Sequence, residues 1–543
     1  MTKEFIGPAK LELRGEKKLN REPKEEAKSF LKEIGSFKKI YWDEAYGKII
    51  LETKRTGTFR NNKKQIFEKT GWKPEIKRPT SSGMVEKTRK LMHEADGRHK
   101  FLKKISRDIR KTNQNEVRWI RLSFQGGCRE VGRNLILLQT NNSRILLDHG
   151  IRMEDKIPPI RAPELDLDEL DCVLLTHSHL DHSGKIASLY KQGFKGPVYA
   201  TEPTITLSRL LKKDAYKIAK SQDRKIGYSH SDIDETIKHS IPVDYGEEVD
   251  VTNDVTATFL NAGHLPGSAG IYLKIGDNHK LFYTGDFDTR NSKLLPPSEF
   301  ELKDLDTLIM ESTYAYEEIP SRKKGEKQLV NIIKETLERG GTPIISTFAI
   351  GRAQEILSIL EEFEIELEVY LDGMIREATK IVSSYPSFLK KRLNQKINHV
   401  YSQEDREEAI TKSNSLVLTT SGMLTGGAVQ YYLDKLEKDK NSSLILPGYL
   451  AEGTPGRELQ EGNKQIEIAG NELNLKLQTY ILRFSGHSDH SDLWNFLHNI
   501  KGNPQCFVIH GEESKSKDFS DSIKRKLNWN SNCPKNLDSF RLK

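Results

Sequence analysis

Long apolar segments are missing from this sequence. None of the 543 residues falls in an uninterrupted apolar run of about 18 residues, the length that a bilayer crossing needs. Residues 1–18 are charged, unlike the apolar core of a secretory signal peptide. We therefore expect a cytoplasmic protein that does not bind membranes.

Cysteine is also scarce. The four cysteines, Cys128, Cys172, Cys506 and Cys533, lie far apart and form no C-x-x-C pair. This spacing is typical of a reducing compartment and argues against a zinc knuckle built from thiolates.

The charge is distributed unevenly along the chain. Residues 1–115 hold 31 Lys and Arg against 16 Asp and Glu, a net charge of +15, whereas the whole chain carries +8. The basic segment has periodic apolar residues and is not of low complexity, which favours a module that binds a polyanion. A charged tail that only keeps the protein in solution is the alternative.

One stretch concentrates histidine. Residues 176–184 read THSHLDHSG, between a strand-like run and a predicted helix. A loop between a strand and a helix can direct His177, His179, Asp181 and His182 into one pocket. Imidazole and carboxylate are ligands that Zn²⁺ prefers, and this set is large enough for two ions. The stretch predicts a metal site, and the alternative is a polar loop that is rich in histidine by chance.

Four more polar residues follow predicted strands. Asp148, His264, Asp286 and Glu311 come after strands predicted at 144–147, 255–260, 280–283 and 308–310. His264 has small neighbours that leave room for an ion, and the carboxylate of Asp286 can bridge two metals. Taken singly, each can equally be a buried structural histidine, a turn residue or a cap. Because strands and helices alternate here, we expect an α/β core.

The basic N-terminal segment has its own order of elements. Its patterns predict helix, strand, strand, helix and strand at 23–34, 37–42, 48–53, 61–70 and 72–78. This order resembles a K-homology domain of the prokaryotic type, which holds nucleic-acid backbone with a G-x-x-G loop. The corresponding residues 56–60 read TGTFR and lack the second glycine. Phosphate contacts are then expected from Arg55, Arg60, Lys63 and Lys64 as point charges.

The order of the histidine and aspartate motifs resembles the metallo-β-lactamase fold. H-x-H-x-D-H at 177–182 is followed by the glycine-flanked His264 and by TGDF at 284–287. Five further motifs resemble the β-CASP branch: PIISTFAIGRAQE at 343–355, LDGM at 371–374, SGMLTGG at 421–427, FSGHSD at 484–489 and VIHGE at 508–512. Within that branch the chain is similar, over most of its length, to ribonucleases of the archaeal cleavage and polyadenylation specificity factor type.

The resemblance implies the fold and the metal ligands. The fold would be α/β, a metallo-β-lactamase αββα sandwich with an inserted β-CASP domain and an N-terminal α+β K-homology-like domain. Two Zn²⁺ per chain are implied, one held by His177, His179 and His264, the other by Asp181, His182 and His510, with Asp286 between them. Asp148 matches the first motif of the family and would support these ligands.

The resemblance also implies the reaction. Zinc lowers the pKa of water to about 7 and so provides a nucleophile for phosphodiester hydrolysis. Glu311 and His487 match the pair that acts on the leaving group, and we assign the proton to His487, with Glu311 fixing its tautomer. Asp181 is counted with them as catalytic because of its place at the metals.

Two further features are predicted to hold phosphate. The loop 421–427, which begins with Ser421 and Gly422, can bind phosphate through backbone N–H groups, and Arg352 opens a helix after Gly351. An ordinary glycine turn and an ion pair within the chain are the alternative interpretations.

RNA is the substrate that the resemblance favours. Family members that act on RNA have histidine in the last motif, as His510 here, whereas DNA-repair members generally have an apolar residue. A zinc-dependent endonuclease of single-stranded RNA, with 5′-to-3′ exonuclease action as an additional expectation, is implied in RNA 3′-end formation and transcription termination. The implied partners are a second copy of the chain and RNA polymerase or its elongation complex.

Other functions have distinct signatures. A catalytically impaired RNA-binding scaffold would lack metal ligands, a β-CASP DNA nuclease would cut DNA, and a small-molecule hydrolase would not need the inserted domain or the basic N-terminal segment.

The predicted segments are 1–82 (K-homology-like RNA-binding domain), 83–115 (basic helical linker), 116–315 (metallo-β-lactamase domain, first part), 316–469 (β-CASP domain) and 470–543 (metallo-β-lactamase domain, second part, with a C-terminal dimerisation segment).

Overall fold

The computed structural model describes residues 23–43, 47–77, 97–110, 116–152, 166–298 and 300–543. The chain forms two compact units, residues 1–100 and 101–543. Within the described ranges, no helix has both the length and the apolar character that a bilayer crossing requires. Most of the predicted linker 83–115 lies outside the described residues, and residues 97–109 of it are helical.

The first unit packs helices against a three-stranded sheet. Its helices are Lys24–Ile34, Thr56–Asn61 and Lys63–Thr70, and its strands are Lys39–Asp43, Lys48–Glu52 and Lys73–Lys77. The first two strands are antiparallel and the last two are parallel. Residues 56–60, expected as a loop, are helical, because Phe59 turns inward and is wholly buried beside Leu31 and Ile49.

Two seven-stranded sheets form the centre of the second unit. Across the first sheet the strands are Ser539–Arg541, Ile120–Gly126, Leu135–Thr140, Arg144–Leu147, Cys172–Leu174, Val198–Ala200 and Ser240–Pro242. Across the second they are Glu248–Asp250, Val255–Asn261, Ala269–Ile275, His279–Tyr283, Thr307–Glu311, Gln505–Ile509 and Ser531–Asn532. The inner faces share one apolar core, to which Leu138 and Leu147 of one sheet and Ile271 and Phe507 of the other contribute.

Helices cover the outer faces of both sheets. They are Leu180–Ser183, Ile186–Lys191, Glu202–Ser221 and His230–His239 in the first half and His490–Asn499 and Glu513–Leu527 at the C-terminal end. Ile186 and Leu189 pack against the first sheet, and Trp494 and Phe519 pack against the second. The helix that contains the amphipathic residues 518–527 therefore covers a core of its own chain. The predicted αββα sandwich is confirmed.

A parallel sheet of six strands is inserted into this sandwich. Its strands, in order, are Ile397–His399, Glu368–Leu371, Ser415–Thr419, Pro343–Ser346, Ser443–Leu446 and Gln478–Ile481. The helices Arg322–Glu338, Arg352–Glu362, Ile375–Ser383, Gln403–Thr411, Val429–Leu436 and Pro455–Gln460 flank it, and Gln465–Ile468 pairs with Asn471–Asn474. Because the last strand pairs in parallel with Ser443–Leu446, this sheet extends past residue 469, where we expected the inserted domain to end.

Candidate metal centre

The predicted metal ligands lie where parallel strands of the sandwich end. His279–Tyr283, Thr307–Glu311 and Gln505–Ile509 are parallel neighbours, as are Arg144–Leu147 and Cys172–Leu174. The carboxyl ends of parallel strands share one edge of a sheet. Asp148 and the 177–182 stretch occur at this edge of the first sheet, and Asp286, Glu311 and His510 at this edge of the second. The 177–182 stretch includes the short helix Leu180–Ser183, which carries Asp181 and His182.

Two groups of four residues converge at these edges and share Asp286. In each group the ligand atoms all lie within 4.8 Å of one another, and the groups are His177, His179, His264 with Asp286, and Asp181, His182, His510 with Asp286. The two oxygens of Asp286 face different groups. Its Oδ2 is 3.6 Å from His177 Nε2, whereas its Oδ1 is 3.4 Å from His182 Nε2 and 3.2 Å from His510 Nδ1.

The chemistry of these groups fits a divalent metal. His177 Nε2 is buried and has no hydrogen-bond partner among the described residues, and the two imidazole nitrogens near the buried Asp286 Oδ1 do not form well-directed hydrogen bonds with it. Such atoms are costly to bury unless something binds them. Burial also lowers the pKa of His177 and His264 well below the usual value, so their imidazoles are neutral and keep a lone pair for a metal.

Asp148 is hydrogen-bonded to a member of the second group, and its supporting role stays a prediction. Its Oδ2 accepts hydrogen bonds from His182 Nδ1 at 2.7 Å, from the Thr176 hydroxyl at 2.8 Å and from the Tyr283 hydroxyl at 2.8 Å. These contacts hold His182 with Nε2 turned toward Asp286. Sequence reasoning missed Thr176 and Tyr283, because a hydroxyl at the end of a strand carries no metal-ligand signature.

Glycine permits the close packing of the loops. At Gly150 a Cβ atom would lie 1.6 Å from the carbonyl oxygen of Asp181, and at Gly263 it would lie 2.5 Å from that of Asp288. Gly263 also has a φ of +69°, which side chains rarely allow. These glycines let the loops that carry Asp181 and His264 approach their neighbours.

Glu311 and His487 form a hydrogen-bonded pair beside the two groups. Glu311 Oε2 is 2.7 Å from His487 Nδ1, and Glu311 Oε1 accepts the Phe287 N–H at 2.8 Å. Asp286, Glu311 and His487 also offer ligand atoms within 4.8 Å of one another, so the pair is adjacent to the shared aspartate. Burial lowers the pKa of His487, but the negative charges of Glu311, Asp286 and Asp181 and the hydrogen bond to Glu311 together outweigh it and raise that pKa to about 9. His487 can therefore hold a proton at neutral pH.

Two partly buried arginines fix the loop that carries His487. Arg322 Nη2 donates to Ser485 O at 2.8 Å and to Asp288 Oδ2 at 2.7 Å, and Arg322 also pairs with Glu355. Arg290 donates to the carbonyl oxygen of His487. None of these contacts was predicted from the sequence, because the partners come from four separate segments and no spacing signals them.

Of the two features predicted to hold phosphate, Arg352 borders the cavity beside the metal groups, whereas Ser421 and Gly422 do not. Arg352 is partly buried, shares Glu355 with Arg322 and lies in the wall of the cavity beside the metal groups, so its contact with phosphate stays a prediction. The N–H of Ser421 donates to Gly426 O at 3.3 Å, inside its own loop. That N–H is therefore already paired, and the wall of the cavity beside the metal groups includes Met423 but neither Ser421 nor Gly422. Phosphate binding by this loop stays a prediction.

In the first unit, the four predicted cations, Arg55, Arg60, Lys63 and Lys64, are exposed. Lys64 lies 3.9 Å from Glu68, a contact that solvent weakens. Their role in RNA binding stays a prediction.

Family models match three parts of the chain. They describe a metallo-β-lactamase superfamily domain at residues 137–313, a β-CASP domain at 353–459 and a Zn-dependent metallo-hydrolase RNA specificity domain at 472–534. A crystal structure of a protein of unknown function from Enterococcus faecalis superposes with a TM-score of 0.53 at 14% identity, covering 78% of this chain and 100% of that one. That likeness shows the fold alone.

Relatives match nearly the whole chain. The transcription termination factor FttA of Methanocaldococcus jannaschii is 39% identical, over 92% of this chain and 85% of the relative. The protein of the same name from Pyrococcus abyssi is 36% identical, over 96% of this chain and 88% of the relative. The chain therefore belongs to the FttA family of metallo-β-lactamase proteins with a β-CASP domain.

Proposed function

We propose that this protein is a zinc-dependent ribonuclease that holds two Zn²⁺ and hydrolyses phosphodiester bonds of single-stranded RNA. The observation that carries the proposal is the position of Asp286, whose two carboxylate oxygens face two different sets of imidazoles. His177, His179 and His264 would hold one ion and Asp181, His182 and His510 the other. When bound, such ions acidify water and neutralise negative charge on a phosphodiester.

The residues of the chain supply the proton transfer. Glu311 accepts the Nδ1–H of His487, which leaves His487 Nε2 to carry the proton that the departing ribose 3′ oxygen needs. The clamp from Arg290 and Arg322 holds the loop of His487 in place for this transfer. Hydrolysis in this direction leaves a 5′-phosphate and a 3′-hydroxyl.

Two findings support RNA as the substrate and termination as the process. The matched RNA specificity domain, residues 472–534, includes both His487 and His510. The relatives bear the name of a transcription termination factor. We infer that the chain cuts nascent RNA endonucleolytically, with 5′-to-3′ trimming, during 3′-end formation, as a cytoplasmic homodimer that meets RNA polymerase in its elongation complex.

Metal analysis and a cleavage assay test this proposal together. The protein is stripped with a chelator, reloaded with zinc and given end-labelled RNA or DNA of the same sequence. We expect two zinc ions per chain, cleavage of RNA in preference to DNA, and loss of both zinc and cleavage in His177→Ala and Asp181→Ala. The exposed His230 provides the matched control, and His230→Ala should behave like the unmodified protein. Cleavage that survives chelation, or equal cleavage of RNA and DNA, would overturn the proposal.

A further inference from the structure

A row of aromatic rings leads away from the metal centre. The ring of His264 lies 4.6 Å from that of His487, centroid to centroid, and His487 lies 6.0 Å from Tyr314. Tyr314 in turn lies 6.5 Å from Tyr449, edge to face. The row therefore connects the ligand His264, through the proposed proton donor, to a tyrosine that is 42% exposed.

Phe348 lies on the same cavity as this row. The cavity has a volume of about 500 Å³, and its wall includes His179, His264, His487, Tyr449 and Phe348. Phe348 is 36% exposed. One exposed aromatic side chain is ordinary on a protein surface. Two that face one cavity beside a reactive centre are typical of a ligand site.

The backbone around Phe348 holds its ring without covering it. A Cβ atom on Gly448 would lie 3.4 Å from Phe348 Cε2, and one on Gly422 would lie 3.0 Å from the Phe348 backbone nitrogen. The absence of side chains at these two glycines lets both neighbouring segments pack closely against Phe348. The ring is thus fixed at its base and remains open to the cavity.

We propose that Phe348 and Tyr449 bind a nucleobase of the RNA, namely the base of the nucleotide immediately 5′ of the scissile phosphate. The inference rests on the proposed function, because it takes His487 to protonate the 3′ oxygen of that nucleotide. Because His487 is the proposed donor to the leaving oxygen, the row that runs from it through Tyr314 to Tyr449 is assigned to the leaving-group side. Stacking of a base on an aromatic ring tolerates all four bases, so the subsite adds affinity with little sequence preference.

RNA with one abasic nucleotide tests the position of the subsite. We compare cleavage of intact RNA with RNA that is abasic immediately 5′ or immediately 3′ of the scissile phosphate. In the unmodified protein the 5′ abasic site should raise KM about tenfold, the size typical of one lost stack. Phe348→Leu and Tyr449→Leu should raise KM for intact RNA by a similar factor and become insensitive to the 5′ abasic site, while zinc content stays the same. Phe348→Trp should restore the sensitivity.

Tyr401 provides the matched control. It is 66% exposed and lies outside the wall of the cavity, so Tyr401→Leu should leave every KM unchanged. If the leucine variants and the unmodified protein are equally sensitive to the 5′ abasic site, the proposed subsite is wrong, but the proposed ribonuclease activity is not affected. A larger effect of the 3′ abasic site would overturn the assignment to the 5′ nucleotide. Failure of the unmodified protein to cut any RNA would overturn both proposals.

Discussion

Two residues of the metal centre have an unusual backbone. Asp148 has a φ of 59° and His510 a φ of 49°, in the left-handed region that residues other than glycine rarely adopt. Each follows a buried strand directly, and the turn directs its side chain inward. Asp148 thereby reaches His182 at 2.7 Å, and His510 reaches Asp286 at 3.2 Å. The buried contacts offset the strain, and strain of this kind is frequent at functional sites.

Replacing His487 separates proton transfer from metal binding. We expect His487→Ala to keep both zinc ions, because its Nδ1 binds Glu311 instead of lying in either group of four. Loss of a general acid typically slows a reaction by about 10²–10⁴, so kcat should fall by that factor. Metal analysis and single-turnover kinetics measure the two effects. His264→Ala is the comparison and should lose zinc, and zinc loss in His487→Ala would contradict the assigned role.

Lys212 offers a test of stability against pH. It is wholly buried, its Nζ has no hydrogen-bond partner among the described residues, and burial lowers its pKa to about 7. Between that value and the usual 10.5 the unfolded chain binds more protons, so stability rises with pH in this window. Lys212→Met should therefore stabilise the protein by a few kcal/mol near pH 7 and below, since one pKa unit corresponds to about 1.4 kcal/mol. This gain in the free energy of unfolding should shrink as the pH rises toward 10.

Urea unfolding of Lys212→Met at several pH values measures this effect. The adjacent Lys213, which is partly exposed and lies 3.6 Å from Asp234, provides the control. Lys213→Met should change stability little at any pH. A gain for Lys212→Met that does not depend on pH would show that Lys212 is not a buried lysine with a lowered pKa.

At the scale of elements, strand ends were predictable and loop contacts were not. The strands before Asp148, Asp286 and Glu311 could be read from the sequence, because apolar runs stop at a polar residue where a buried strand reaches the sheet edge. The contact between Arg322 and Ser485 spans 163 residues, and no local pattern encodes it. Residues 56–60 became helical because burial of Phe59 overrides the turn tendency of Gly57.

The arginine clamp should affect chemistry more than RNA binding. Arg322 joins the helix Arg322–Glu338 to the loop of His487 through Ser485 O and Asp288. Arg322→Gln should lower kcat by about tenfold or more, because even a small displacement of a catalytic group such as His487 slows the chemical step. KM should change little. The substitution should also lower the melting temperature, since the buried Asp288 and Glu355 would each lose one of their two arginine partners and keep only Arg290 and Arg352.

Rescue by charge distinguishes positioning from simple destabilisation. Arg322→Lys keeps the charge and should recover the melting temperature better than kcat, because lysine cannot reproduce the forked contacts to Ser485 and Asp288. Arg209→Gln breaks an exposed ion pair with Asp234 and should change neither quantity. A kcat that recovers fully in Arg322→Lys would contradict a geometric role for the guanidinium.

At the scale of the whole molecule, charge and chemistry belong to different parts of the chain. Residues 1–115 carry a net charge of +15, whereas the metal groups, the His487 pair and the cavity all lie in the unit 101–543. This division could be predicted from composition and motif order alone. The convergence of His264, Asp286 and His510 could be inferred only from a family resemblance, because residues 246 positions apart meet through the sheet topology.

The basic first unit should contribute RNA affinity without contributing to the chemical step. We replace its four exposed cations together with glutamine, namely Arg55, Arg60, Lys63 and Lys64. Each lost phosphate contact should reduce the slope of log affinity against log salt by about 0.7 on single-stranded RNA. The variant should therefore bind more weakly at low salt and show a flatter salt dependence, whereas kcat at saturating RNA stays the same. The control replaces four exposed lysines of the second unit with glutamine, namely Lys191, Lys217, Lys220 and Lys225. If the control flattens the salt dependence as much as the first variant does, the affinity comes from general positive charge and the first unit is not an RNA-binding module.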